Sequence, residues 1–200
     1  MAQVARTRQQ LIDDLLKLDR DYAALLSKCS REQLNWRPAI GAWSVAQCIQ
    51  HVAGVNSIYL SPIKAAIAKG RMRAPLNGES LHTAGWFSSV FWKSVSPQGK
   101  AKLRSPRIAR PAAEPSQIVP QEELETLLAT HKEIRGILTA ANQPDFNRLR
   151  FKNPFVPLLR FTVATGILIM VAHGQRHLIQ AERVCRVEGF PSAHSVGEIA

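Results

Sequence analysis

His173 and His177 stand four residues apart in VAHGQRHLIQAERV, within a stretch that has the periodicity of a long helix. Residues i and i+4 of an α-helix project from one face, so two imidazoles at this spacing can grip one cation. His51 lies 122 residues upstream in SVAQCIQHVAGV, on a second segment of helical pattern. A third imidazole from a neighbouring helix would complete a three-nitrogen site with one coordination position open, the feature that separates a catalytic metal from a structural one. Three neutral imidazoles suit a divalent transition metal, zinc or nickel first and iron or copper after them. Magnesium and calcium prefer oxygen. The plainer reading, two histidines hydrogen-bonded to backbone or water, accounts for most isolated His-x-x-x-His pairs. Against it stands the apolar setting, in which unpartnered ring nitrogens are costly.

Other residues could support that chemistry. Cys48, three residues before His51, could be a fourth ligand or a redox-sensitive neighbour, although a small buried thiol is the commoner role. Gln47 and Gln180 are placed to orient ligands or substrate from behind the imidazoles. His131 occupies a stripe position on another helix and either faces the site or is a satisfied core histidine. His82 and His194 lie in stretches of weak pattern and are poor candidates. No nucleophile elbow, phosphate-binding glycine loop, dinucleotide fingerprint or paired-cysteine zinc motif is present.

Positioning these groups requires helices, and four long helical patterns stand out. Leu11, Leu15, Leu18, Tyr22 and Leu25 recur at helical spacing between Thr7 and Lys28. A second helix is expected from Val45 to Ala68, opened by a Ser44–Gln47 capping box and ended by Gly70. A third follows Pro120, with Glu122, Glu123 and Glu125 matched to the positive end of its dipole. Its stripe is Leu124, Leu127, Leu128, His131, Ile134 and Leu138. The last is expected from Thr162 to Glu188, stopping at Gly189 with Pro191 beyond. Between the second and third, a short helix over Leu81–Trp92 precedes a long, irregular, basic connection to Val119. No strand pattern competes. The expected fold is therefore all-α, one four-helix bundle domain over residues 1–200, and such bundles build metal sites from side chains on facing helices.

Composition narrows the function classes. Of 200 residues, 46% are apolar and 20% charged, which excludes wholesale disorder. The longest apolar run, Phe161–Ala172, has 12 residues where a membrane span needs roughly 20, so it reads as a buried core helix. The first residues lack the apolar core of a signal peptide, and three cysteines form no disulfide framework, so a cytoplasmic location is expected. The net charge of +11 is uneven: from Gln33 to Ala113 one acidic residue, Glu79, faces eleven Lys and Arg. Lys93, Lys100, Lys102, Arg104, Arg107 and Arg110 form a run without counter-charge. Such a run is most often a solvated loop, and it can also attract an acidic small molecule. With no recognition-helix motif or stacking-aromatic pattern, nucleic-acid binding is disfavoured.

Two stretches carry a resemblance. LNWRPAIGAWSVAQCIQHVAGVN, with Trp, a Pro turn and Trp-Ser leading to a helix with His eight residues after the Trp, resembles the first signature of the DinB-like (YfiT-like) metalloenzyme family. TVATGILIMVAHGQRHLIQAERV, an apolar helix with His-x-x-x-His followed by Gln, resembles its second signature. Their order and separation match, and the similarity spans most of the chain. The resemblance implies an up-down-down-up four-helix bundle holding a divalent metal through His51, His173 and His177. It also implies a small-molecule substrate. The leading expectation is a thiol-dependent S-transferase, in which the metal activates a low-molecular-weight thiol that attacks an electrophile. A metal-dependent hydrolase and a non-catalytic metal- or ligand-binding stress-response module are the alternatives. A homodimer is expected, since related bundles commonly pair. Relatives often carry Glu where this chain has Gln47 and Gln50, so the surroundings of this site are less acidic.

Overall fold

The long helices begin where the chain supplies a cap or a proline. The structure is a computed structural model and describes residues 3–72, 80–100, 105–156 and 158–192. Helix α1 (Arg8–Ser27) opens with a Thr7–Gln10 capping box and buries Leu11, Leu15, Leu18, Tyr22 and Leu26. A short α2 (Arg31–Asn35) is capped in the same way by Ser30 and Gln33. Helix α3 (Val45–Ala68) starts on the Ser44–Gln47 box, as its sequence predicts. Helix α4 covers Gly85–Val95. Helix α5 (Pro120–Thr139) has Pro at its start and Glu122 and Glu123 in its first turn, with no side-chain cap. Helix α6 (Val163–Val184) is capped by Thr162, whose hydroxyl accepts from the Thr165 amide at 3.1 Å.

Helices α1, α3, α5 and α6 pack as a four-helix bundle, with α3 and α1 each lying against both α5 and α6. Between α3 and α5, Gln50 meets Glu123, Asn56 meets Thr130 and Lys64 meets Glu133. Between α3 and α6, His51 meets His173 and Ile63 meets Gly166. Every residue of α6 from Val163 to Gly174 is buried, because α1, α3, α4 and short strands surround it. Burial of this kind, at about 1.5–3 kcal/mol for each large apolar side chain, dominates the stability of the fold. Two glycines of α6 permit close approach: a Cβ on Gly166 would meet the Phe151 ring and Ile63 at 2.9 Å, and one on Gly174 would meet Leu18 at 3.3 Å.

Several details differ from the sequence expectation. Two small antiparallel pairs exist, β1 (Ala5–Thr7) with β2 (Ser80–His82) and β3 (Arg150–Lys152) with β4 (Arg160–Thr162). At three residues each they are too short to produce an alternating pattern. Helix α6 ends at Val184, four residues before Glu188; Gly189, at φ +84°, turns the chain after a further short stretch. Gly70 does not adopt a left-handed cap; a Cβ there would meet Pro144 at 2.6 Å. The short helix expected over Leu81–Trp92 is α4, which starts only at Gly85 because Leu81 and His82 belong to β2, and the basic connection beyond it holds single 3-10 turns at Arg107–Ala109 and Pro115–Gln117. Lys102, Arg104 and His194 lie outside the described residues. Among the described residues, no helix is long and apolar enough to cross a membrane.

Candidate metal site

The Ser44 cap fixes the start of α3, and His51 follows two turns later on its buried face. His173 lies next to the end of the fully buried portion of α6, and His177 comes one turn on. The three rings converge. His173 Nε2 lies 3.2 Å from His51 Nε2 and 3.1 Å from His177 Nε2, and ligand atoms of all three lie within 4.8 Å of one another. All three residues are at most 9% exposed. Of the described residues, this is the group of His, Cys, Asp and Glu side chains arranged to hold an ion.

The rings are held neutral. Burial lowers the pKa of His51, partly offset by its bond to the Ala109 carbonyl. Burial, the two neighbouring imidazoles and Arg176 push His173 well down. Burial, then His51 and Arg176, bring His177 to about 3, with Gln180 opposing. The Gln180 side chain is near enough to favour the protonated ring but falls short of a directed bond to Nδ1. The His51 Nδ1–H donates to the Ala109 carbonyl at 2.5 Å, which leaves the Nε2 lone pair facing the other rings. With neutral rings, one proton on His173 Nε2 can satisfy only one of its two contacts, whereas a cation satisfies all three lone pairs together. Metal–nitrogen bonds of about 2.0–2.1 Å in a tetrahedral site separate ligand nitrogens by about 3.3 Å. The two separations about His173 fit such an ion, and the His51 and His177 ligand atoms lie within 4.8 Å of each other.

The surroundings form a shell that sequence reasoning only partly found. Trp43, directly before the Ser44 cap, stacks on His177 at 5.7 Å between ring centres and leans on His51 at 4.7 Å. A strap over residues 109–113 is tied down at Ala112: its carbonyl accepts from Gln47 Nε2 and its amide donates to Gln50 Oε1, both at 2.7 Å. Gln47 Oε1 also caps α3. Gln50 Nε2 donates to Glu123. Arg176, between the two α6 histidines, donates to the carbonyls of Ser94, Ser96 and Gly99. The Tyr22 hydroxyl braces the Gly174 carbonyl at 2.9 Å. Trp43 had a visible signal, its place beside the cap; Ala109 had none, because a backbone carbonyl leaves no mark in a sequence.

Two expected neighbours lie elsewhere. Cys48 is fully buried, and burial pushes its thiol up to about 12. It is not one of the converging ligand groups. His131 pairs with Asp19 of α1 at 2.5 Å, and Arg135 holds the other Asp19 oxygen at 2.6 Å. His82 sits on β2 against Gln3. Of the basic run, Arg107 and Arg110 are exposed on either side of the strap turn that carries Ala109.

The sequence profile of the DinB superfamily matches residues 14–181. No curated protein gives a significant sequence match. Among solved structures, YfiT from Bacillus subtilis superposes with a TM-score of 0.57 at 16% identity, over 90% of this chain and 86% of that one. YfiT is described as a probable metal-dependent hydrolase with an unusual four-helix bundle topology. By its sequence profile, with a bundle fold to match, the chain belongs to the DinB superfamily.

Proposed function

We propose that this protein is a metal-dependent enzyme acting on a small molecule, with His51, His173 and His177 as the ligands of one divalent transition metal. The convergence of three neutral Nε2 atoms at 3.1 and 3.2 Å carries this reading. Zinc or nickel matches the all-nitrogen donor set best, iron or copper next. An ion held there would supply Lewis acidity at its open position, lowering the pKa of a water or thiol brought to it. The residues of the chain do the rest. Ala109 fixes the His51 tautomer, Gln47 and Gln50 hold the strap that carries Ala109, and Trp43 walls one side against water.

Hydrolysis is favoured by the likeness to YfiT, and thiol S-transfer is the second reading, supported by the signature stretches around His51 and His177. A non-catalytic ligand-binding module is the third. The reading includes an up-down-down-up helix order. It is supported by pairings that advance together between α3 and α5 (50 with 123, 56 with 130, 64 with 133) and oppositely between α3 and α6 (51 with 173, 63 with 166). It also includes a homodimer and a cytoplasmic location.

Metal analysis of protein purified without a histidine tag tests the site. The unsubstituted chain is expected to carry one equivalent, and His51→Ala, His173→Ala and His177→Ala to lose it while His131→Ala keeps it. Stoichiometric metal in any of the first three would refute the assignment. Loaded protein is then assayed against esters and amides alone, and against electrophiles with and without small thiols. Thiol-independent turnover marks a hydrolase and thiol-dependent turnover a transferase; tight ligand binding with no turnover marks the module.

A further inference from the structure

Cys29 follows the last turn of α1, and Cys185 is the residue that caps the end of α6. The chain beyond each brings the two ends together. Gln33 Nε2 donates to the Pro191 carbonyl at 2.7 Å, and Trp36 meets Phe190 edge-on at 5.6 Å. Leu18 and Tyr22 of α1 lie against Gly174 of α6, so Cys29 and Cys185, eleven residues beyond Leu18 and Gly174 respectively, come to the same end of the packed pair close enough to interact, and both residues are free and half-buried. Cys48, the third cysteine, is fully buried. Two adjoining thiols within reach of solvent, with the third sealed away, are arranged for a defined oxidation product.

We propose that Cys29 and Cys185 form an oxidisable dithiol, which a peroxide converts to an intramolecular disulfide tying the end of α1 to the end of α6. Burial and the adjacent Cys29 push the Cys185 thiol up to about 11, so Cys185 is assigned the second, resolving step. The Cys29 sulfur, giving up its proton, attacks one peroxide oxygen; the O–O bond breaks, leaving Cys29 sulfenic acid and one water. Cys185 then loses its proton and its sulfur attacks the Cys29 sulfur. The S–O bond breaks, and the departing hydroxide takes that proton as a second water. Two thiols lose two electrons and one peroxide is reduced.

The test uses the full, unsubstituted chain, reduced and then treated with one equivalent of hydrogen peroxide. Intact mass is expected to fall by two hydrogens with no change in oligomeric state. The Cys29 and Cys185 peptides are expected to run as one until reduced, and Cys48 to remain alkylatable after denaturation. The oxidised protein is expected to melt higher than the reduced one, and Cys29→Ser to melt alike under both conditions. A bridge to Cys48, a bridge between chains, or sulfinic acid at Cys29 beside a free Cys185 thiol would each overturn the proposal. Peptide mapping needs no variant, so misfolding cannot mimic either result. The outcome is independent of whether the histidines bind metal.

Discussion

Both ends of the Gln47 amide are committed: its oxygen caps α3 and its nitrogen holds the Ala112 carbonyl. A glutamate there would keep the cap, since either residue completes a capping box, yet would turn a carboxylate oxygen toward that carbonyl. Gln47→Glu is therefore expected to leave helix content unchanged while loosening the strap and, with it, the Ala109 carbonyl that orients His51. Loss of such a supporting bond commonly weakens metal binding roughly 10–100-fold. A competition titration with a chromophoric chelator measures it, and an unchanged affinity would show that the strap does not govern the His51 ring. The same chemistry explains why amides stand at 47 and 50, since the Gln47 nitrogen serves the Ala112 carbonyl and the Gln50 nitrogen serves the Glu123 carboxylate.

At the scale of elements, α3 carries His51 two turns from its start, so the cap bears on the site. Ser44 is wholly buried, and Ser44→Ala would strip the Gln47 amide of its partner away from water. A cost of about 1–2 kcal/mol is expected, measurable by urea unfolding of the metal-free protein. A cost near zero would mean that the Gln47 side chain alone anchors this helix start. Elements with this kind of local chemistry were legible in advance. The start of α3, the Pro120 start of α5 and the apolar stripe of α1 all follow from caps, proline and periodicity. So did the two-helix origin of the three imidazoles. What escaped were features that depend on distant partners. The strand pairs are defined by each other, and α6 ends at Val184, short of the Gly189 stop. The strap is recognised only through what it touches. Helix α2 could have been found, because Ser30 and Gln33 form the same box as Ser44 and Gln47.

For the whole molecule, three histidines held neutral by burial link folding to pH. Each has its pKa lowered in the folded state, His177 from 6.5 to about 3, so the unfolded chain binds more protons in that interval. The stability they confer is complete above the unfolded value and is lost as pH falls through the folded values. Metal-free protein is thus expected to weaken steadily from about pH 6.5 toward pH 3, read from chemical denaturation midpoints across that range. Midpoints that stay level below pH 6.5 would contradict neutral, converging rings. Added metal should raise the midpoints at neutral pH and lose this effect on acidification, because protons and metal compete for the same lone pairs. One consequence belongs to α6, which is buried on all sides to Gly174 and only partly beyond it. Its two histidines straddle that boundary, so His177 sits where the helix can unwind locally while His173 stays locked in the interior. Ion exchange should then keep pace with amide deuteration of residues 175–184 and run far faster than deuteration of 163–172, a gate that opens at one end while its hinge stays fixed.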